Sequence, residues 1–293
     1  MKNTEKKEKS NINWFPGHMA KTFRKMSDQL KIIDLACEIV DARIPVSSRN
    51  PDLDKLLSGK PRIILLNKSD MADEKATNKW IEHFKEEGIC AIPVDCKNGK
   101  GVGVFKSEIK RVMAPKLKKY EEAGMVGKPI RVMVVGIPNV GKSSFINRIS
   151  GGAKAKAENR PGVTRGNQWY TIDRQFELLD TPGVLWPKFE DKTTGEHLSF
   201  TGAVTDRIID TELLAVDLLK ILKEDYKDLL ISRYKLDDVP EDEYDLLCLI
   251  GKKRGMVIRG GETDTLRASN MILEEFRSCK IGNITLERVE DYA

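Results

Sequence analysis

An α/β fold, a doubly wound and mostly parallel sheet followed by a smaller all-helical region, is predicted for this 293-residue chain by three observations. Short uninterrupted apolar runs alternate with charged, helix-patterned segments. The most apolar run ends in a glycine-rich turn, and strand signals fade beyond Trp186. Continuous apolar runs mark strands covered on both faces, which is the situation of parallel strands between two layers of helices.

The first runs are LACEIVDA from Leu35, RIILLN from Arg62 and ICAIPV from Ile89, with the helical EKATNKWIEHFKEE between the second and third. Val102 to Glu122 has the pattern of a long basic amphipathic helix and leads into the strand IRVMVVG. A glycine-rich turn and the helix KSSFINRIS follow, then QWYTI and FELLD as a strand pair that ends in DTPG. Past Trp186, the segments DTELLAVDLLKILKE, DYKDLLISRY, EYDLLCLIGKKR and TLRASNMILEEFRS carry helical periodicity, with Asp264 or Thr265 as the cap of the last. The expected division is a basic tail at residues 1–13, an α/β domain at 14–189 and a helical domain at 190–293.

Hydrophobic residues make up 40% and charged residues 32% of the chain, which excludes a disordered, low-hydrophobicity class. No run approaches the roughly 18 apolar residues that a membrane span needs, so no membrane partner is expected. The start, MKNTEKKEKSNIN, lacks the apolar run of an export signal, and a cytoplasmic monomer is expected. The cysteines, Cys37, Cys90, Cys96, Cys248 and Cys279, contain no CxxC pair and read as buried, inert thiols. A net charge of +5 from 50 basic and 45 acidic residues does not demand a nucleic-acid partner, and DNA is not expected as one. Between Lys106 and Arg131, eight basic residues face three acidic ones. That helix either grips phosphates or is a solvated face.

Gly136-Ile-Pro-Asn139-Val140-Gly141-Lys142-Ser143 fits G-x-x-x-x-G-K-[ST] and stands between a buried strand and a helix, where the mechanism of that pattern needs it. The glycines let backbone N–H groups close around phosphate oxygens, and the helix N-terminus adds partial positive charge. Lys142 reaches the β and γ phosphates in this reading, Ser143 binds Mg²⁺, and Ser144 extends the contact. Asp180-Thr-Pro-Gly183 alone is an ordinary turn. After a P-loop, and with Thr164 of RPGVTRG between them, it places Asp180 on Mg²⁺ through water and the N–H of Gly183 at the γ phosphate. Thr164 is then the switch threonine that closes on Mg²⁺.

Asn67-Lys68-Ser69-Asp70 follows the strand RIILL. A carboxylate at Asp70 accepts two hydrogen bonds from guanine, a donor pair that adenine lacks, and a site built this way rejects the wrong ligand by up to about 10⁴-fold. Asp95-Cys96-Lys97 stands where a Ser-Ala-Lys loop packs on the base, and departs from that sequence. All these motifs fall at the C-terminal ends of strands, the edge where doubly wound sheets bind ligands. Their order is NKxD, SAK-like, P-loop, threonine, DxxG, a circular permutation of the ordinary GTPase order. Close chain termini make such a cut feasible. In this order the stretch after Asp180 runs straight into the helical domain, so loss of the γ phosphate is expected to reorient it.

Trp14-Phe-Pro-Gly-His18-Met-Ala-Lys21, Asp41-Ala-Arg-Ile-Pro45, NKSD, GIPNVGKSS, Pro161-Gly-Val-Thr164 and DTPGVLWPKF together resemble the ribosome biogenesis GTPase A (YlqF/RbgA) family of circularly permuted GTPases. The resemblance is specific from about Trp14 to Phe189 and more diffuse over the helical tail. It implies a potassium-assisted GTPase that binds a late precursor of the bacterial 50S subunit, with rRNA and ribosomal proteins as partners, and leaves after hydrolysis. Val184 stands where many GTPases carry a water-orienting glutamine. The resemblance supplies Asn139 as a potassium ligand and His18 as the catalytic histidine, although His18 also reads as a helix cap or an RNA contact. His83 and His197 read as surface or switch-loop polar residues. Two alternatives stay open: a nucleotide-gated RNA-binding scaffold using Lys116, Lys118, Lys119, Lys252, Lys253 and Arg254, and a permuted GTPase acting on the small subunit. The lack of a Cys/His ligand cluster speaks against the second.

Overall fold

A computed structural model describes residues 16–125, 127–151, 168–173, 175–186, 191–204 and 210–292, with the side chains of 16–20 and 173 outside that description. Six strands form one sheet in the order β3-β2-β1-β4-β6-β5. They are β1 (Leu35–Asp41), β2 (Arg62–Asn67), β3 (Cys90–Val94), β4 (Ile130–Val135), β5 (Gln168–Asp173) and β6 (Phe176–Asp180). All neighbours are parallel except β5, which pairs antiparallel with β6. Strand β1 is buried along its whole length and β4 at all but Arg131, as their unbroken apolar runs require. The chain leaves β1 toward β2 and β3, and leaves β4 toward β6 and β5. The point where strand order reverses therefore lies between the C-terminal ends of β1 and β4. A crevice there is where such sheets take ligands.

Helix α1 (Pro16–Leu30) covers one face with Met26 and Leu30, and α2 (Pro51–Leu57) adds Leu53 and Leu57 to the same cluster. Asn50 caps α2, its side chain accepting from Asp52 N–H at 2.9 Å. Helix α3 (Glu74–Glu86) is capped by Asp73 and buries Trp80 and Phe84 against β2. Helix α4 (Val104–Glu122) carries the chain back to β4. Its Lys116 is not a free cation, because it meets Asp34 at 2.6 Å. Lys253 likewise pairs with Asp237, and Arg254 lies over the Tyr234 ring. Of the basic residues considered for RNA, Lys118, Lys119, Lys252, Lys253 and Arg254 are exposed and Lys116 is half-buried.

Helix α5 (Lys142–Ile149) follows the P-loop. Beyond the sheet come α6 (Lys192–Phe200), α7 (Thr211–Asp225), α8 (Lys227–Tyr234), α9 (Glu243–Lys253) and α10 (Thr265–Arg277). Aspartates at 191, 210, 242 and 264 cap four of them by accepting backbone N–H bonds, a contribution of about 1 kcal/mol each. Leu214, Leu218, Leu246, Ile250, Ile272 and Phe276 form the interior of this helical region, and it continues without a break into the sheet core through Leu185 and Trp186. Residues 281–290 then return to the α/β unit, so the two regions are joined at both ends of the helical stretch. No helix among the described residues is long and apolar enough to cross a membrane. Cys37 and Cys96 are buried and the other thiols half-buried. Burial pushes the Cys90 thiol up to about 11 and Cys96 to about 12, so both stay protonated.

Candidate functional site

The P-loop leaves β4 and closes at Gly141, which takes φ 101° at the start of α5. A side chain there would strike Asn67 Nδ2. Gly141 gives α5 no side-chain cap, so the first N–H groups of the helix have no side-chain acceptor and face the crevice. Lys142 is buried and donates to the carbonyls of Gly136 and Ile137 at 3.3 and 3.2 Å. Those bonds curl the ammonium back over the loop. Ser143 and Ser144 are exposed on the first turn of α5, and Val140 is buried.

Asp180 ends β6 beside the P-loop. The turn after it is held on both sides: Thr181 Oγ1 donates to Val134 O at 2.7 Å, and Asn50 Nδ2 donates to Val184 O at 3.0 Å. A Cβ on Gly183 would lie 2.9 Å from both Lys142 Nζ and Pro138 N, so only glycine lets this turn approach the P-loop so closely. Burial pushes the Lys142 ammonium down, an effect that Asp180 opposes. Burial pushes the Asp180 carboxyl up, against Lys142 and the Thr181 N–H. Each is thus driven toward its neutral form, and a phosphate oxygen at Lys142 with a divalent cation at Asp180 would reverse both tendencies. The donor set of Ser143 hydroxyl and Asp180 carboxylate is the hard-oxygen type that Mg²⁺ takes. Val184 packs into the core at 4% exposure and offers no group to a water. Asn139 sits at φ 63°, and its Nδ2 donates to Gly202 O at the end of α6, 3.1 Å away.

On the other side of the crevice, Asn67 is a brace. Its Nδ2 donates to Val140 O at 2.6 Å, and its Oδ1 accepts from Cys96 N–H at 3.0 Å, so one side chain joins three loops. Asp95 is buried, and its carboxylate serves its own loop, accepting from the N–H groups of Lys97 and Asn98 at 2.9 Å. Arg148 of α5 donates to the carbonyl of Lys97. Lys68, at φ 61°, sets its Nζ 2.8 Å from the carboxylate of Asp41. Burial of Asp41 opposes its charge, but Arg43 and Lys68 outweigh it and hold the carboxyl far below the ordinary range. Asp70 is exposed at the loop tip. Its carboxyl is pushed up by burial and by Asp95.

Two expected site residues have side chains outside the described residues. Thr164 lies outside the described residues, and His18 lies in the first turn of α1, its side chain outside them. His197 differs from its expected role as a surface or switch-loop polar residue. It is buried at 4% exposure, with Nδ1 3.2 Å from Ser47 Oγ and 3.0 Å from Glu287 Oε1. The reason is that α6 folds back over the loop after β1 rather than into solvent. His83 stays on the flank of α3, 3.5 Å from Glu87. Sequence reasoning also missed Asp41 and Arg43 as supports of Lys68, and the C-terminal residues 283–287, which no local motif announces. Among the described residues, no three His, Cys, Asp or Glu side chains gather into a metal-holding group.

A P-loop at the switch point of a parallel sheet, a DxxG turn pressed on it and an NKxD loop braced to it define a P-loop GTPase. The family described as 50S ribosome-binding GTPase matches residues 131–243. The chain is 46% identical to ribosome biogenesis GTPase A of Priestia megaterium, over 94% of this chain and 96% of that protein. It also resembles the GDP-bound structure of TM YlqF, at 28% identity and TM-score 0.64, over 92% of this chain and all of that one. GNP-bound YlqF from T. maritima matches with a TM-score of 0.62 at 27% identity, over 92% and 99%. This chain belongs to the ribosome biogenesis GTPase A family. It is a GTPase, and membership carries use of guanine nucleotide and Mg²⁺.

Proposed function

We propose that this GTPase serves a late step in maturation of the large (50S) ribosomal subunit, binding the precursor in its GTP state and leaving after hydrolysis. The names of the relatives support a ribosomal partner, and the matched family description supports the large subunit. The structural observation that carries the switch is the bond from Asn139 of the P-loop to Gly202 at the end of α6. Nucleotide state and helical region meet there, one helix beyond the DTPG turn. The helical region, residues 190–293, is the ribosome-binding part in this reading, with its Lys252, and Lys118 and Lys119 of α4 in the α/β region, as exposed cations available to rRNA phosphates.

Within the site, Lys142 and the open N–H groups of α5 hold the β and γ phosphates, and Asp70 reads the base. Ser143, Asp180 and Thr164 are the residues for Mg²⁺, which supplies charge neutralisation on the phosphates. Gly183 offers its N–H to the γ phosphate, and hydrolysis frees that contact and with it α6. Val184 cannot orient water, so the isolated protein turns over slowly. The amide oxygen of Asn139 is the ligand for a potassium ion, and His18 comes beside the attacking water only on the ribosome.

GTP turnover with purified large or small subunits, in KCl and in NaCl at equal ionic strength, tests this. Large subunits and potassium should each raise the rate, the subunits by about 10²-fold through positioning. Asn139→Ala should erase the cation difference and His18→Ala most of the subunit effect, with GTP still bound. Equal rates with and without large subunits would replace this reading with the scaffold.

A further inference from the structure

We infer that the C-terminal segment 279–288 is the outer wall of the base-reading loop, and that Asn283 is a positioning residue for Asp70 that sharpens selection of guanine. This rests on the reading of Asp70 as the base-recognising carboxylate. Residues 68–73 project past the end of β2, held within the α/β unit by Ser69 N–H to Val94 O at 3.1 Å, a turn bond from Met71 N–H to Lys68 O, the Lys68–Asp41 ion pair and the capping of α3 by Asp73. Further bonds come from the far end of the chain. Asn283 Nδ2 donates to the carbonyls of Asp70 at 2.8 Å and Ala72 at 3.2 Å. Between them, Ile284 N–H donates to Met71 O at 3.0 Å, and Asp73 N–H donates to Thr285 Oγ1 at 3.0 Å. Four consecutive residues of the loop are thus fixed by three consecutive residues of the strap.

The strap is itself anchored on both sides. The hydroxyl of Tyr226, between α7 and α8, donates to Thr285 O at 2.9 Å and accepts from Thr285 N–H at 3.0 Å. The Glu287 carboxylate accepts from the N–H groups of Val46 and Ser47 and meets His197, while Trp80 Nε1 donates to the Glu287 carbonyl at 3.0 Å. Leu286 N–H donates to Arg43 O at 2.8 Å, and Arg43 is the cation that fixes Asp41 against Lys68. Ile284, Thr285 and Glu287 are almost fully buried. A side chain with two donors on the carbonyls flanking the loop tip sets the height at which the Asp70 carboxylate stands over the base. Loss of those bonds lets the tip relax, and the two hydrogen bonds to the guanine edge lose their alignment first.

The test is the ratio of GDP to IDP affinity, because inosine lacks the exocyclic amine that Asp70 accepts from. Competition against a fluorescent guanine nucleotide reads both on the full chain. Asn283→Ala should lower the GDP-over-IDP ratio by about fivefold, the share of one or two hydrogen bonds of ordinary strength. Asn283→Asp, which turns an acceptor toward two carbonyls, should lower it further. Ile250→Ala, a core variant of the helical region away from the strap, serves as the stability control and should keep the ratio at any melting temperature. If Asn283→Ala does not fold, Thr285→Val should lower the ratio and Thr285→Ser should restore it. An unchanged ratio in folded Asn283→Ala, or equal weakening of GDP and IDP, overturns the inference. Asp70→Asn is measured alongside: failure to shift preference toward xanthosine nucleotides would break the reading of Asp70 itself, independently of the strap.

Discussion

The groups proposed to face the phosphates, Lys142, Ser143, Asp180 and Gly183, come from one stretch of chain and from strands that are neighbours in the sheet. The loop proposed to read the base is held by Asn283 and Thr285, and Tyr226 and Arg43 anchor that strap in turn, so its supports are gathered from both ends of the sequence. The first arrangement depends on local backbone geometry, a glycine at φ 101° and a helix N-terminus, and survives wherever that strand, turn and helix are placed. The second depends on tertiary closure. A region of the first kind resists permutation of the chain, and one of the second kind records which ends were joined.

Removal of Lys142 should give the largest effect and should test the local character of the phosphate end. Lys142→Ala removes the ammonium proposed to meet the β and γ phosphates, and with it the cation that opposes the upward push of burial on the Asp180 carboxyl. GTP affinity, read by titration of a fluorescent analogue, should fall by about 10²-fold or more while the fold persists. A modest loss would mean that backbone N–H groups alone hold the phosphates.

Asp70→Asn should come next. It should weaken GTP by about 10²-fold and admit xanthosine triphosphate, because the acceptor facing the base edge becomes a donor. Unchanged preference in a nucleotide-competition assay would remove Asp70 from the base end and leave the contrast between the two ends without content.

The smallest effect belongs to Asp34, which fastens α4 to the sheet edge far from either end. Burial opposes its charge, but the Arg131 N–H, Lys116 and Tyr120 outweigh this and hold the carboxyl below the ordinary carboxylate range. A lowered folded value means that stability is fully present above the unfolded pKa, near 4, and is lost as pH falls through the folded one. Lys116 is 40% exposed, so the contribution is only about 1 kcal/mol at neutral pH. Urea melts of Asp34→Asn should show that deficit at pH 7 and convergence with the unaltered protein below about pH 4. A constant deficit across pH would assign Asp34 to packing.

Strands were legible wherever apolar runs were continuous: Arg62–Asn67 falls on the residues that the pattern marks, and Ile130–Val135 stops one residue short of them. Asp264 rather than Thr265 is the cap of α10, a choice between two adjacent signals that only the backbone decides. Helix α2 escaped notice because seven residues give too few turns for a period to emerge, and α6 because its run KTTGEHLSF is mostly polar or small. The phosphate motif was legible since its chemistry is contiguous. His197, Glu287 and Asn283 were not, because their partners lie 90 or more residues away and each looks locally like a solvated polar side chain. The same holds for Lys116, whose place in a basic run concealed its bond to Asp34.

The strap also imposes an order on biosynthesis. Asn283 is made 213 residues after the aspartate whose loop it holds. A nascent chain can build the P-loop and its sheet well before release, but its base-reading loop stays open until the final segment has been made and has closed a long-range contact, the slow kind in folding. On the reading of Asp70 as the base-recognising carboxylate, the sharpening of guanine selection is therefore the last property that the newly made protein acquires, and a chain stalled short of residue 283 would bind nucleotide with weaker discrimination against inosine.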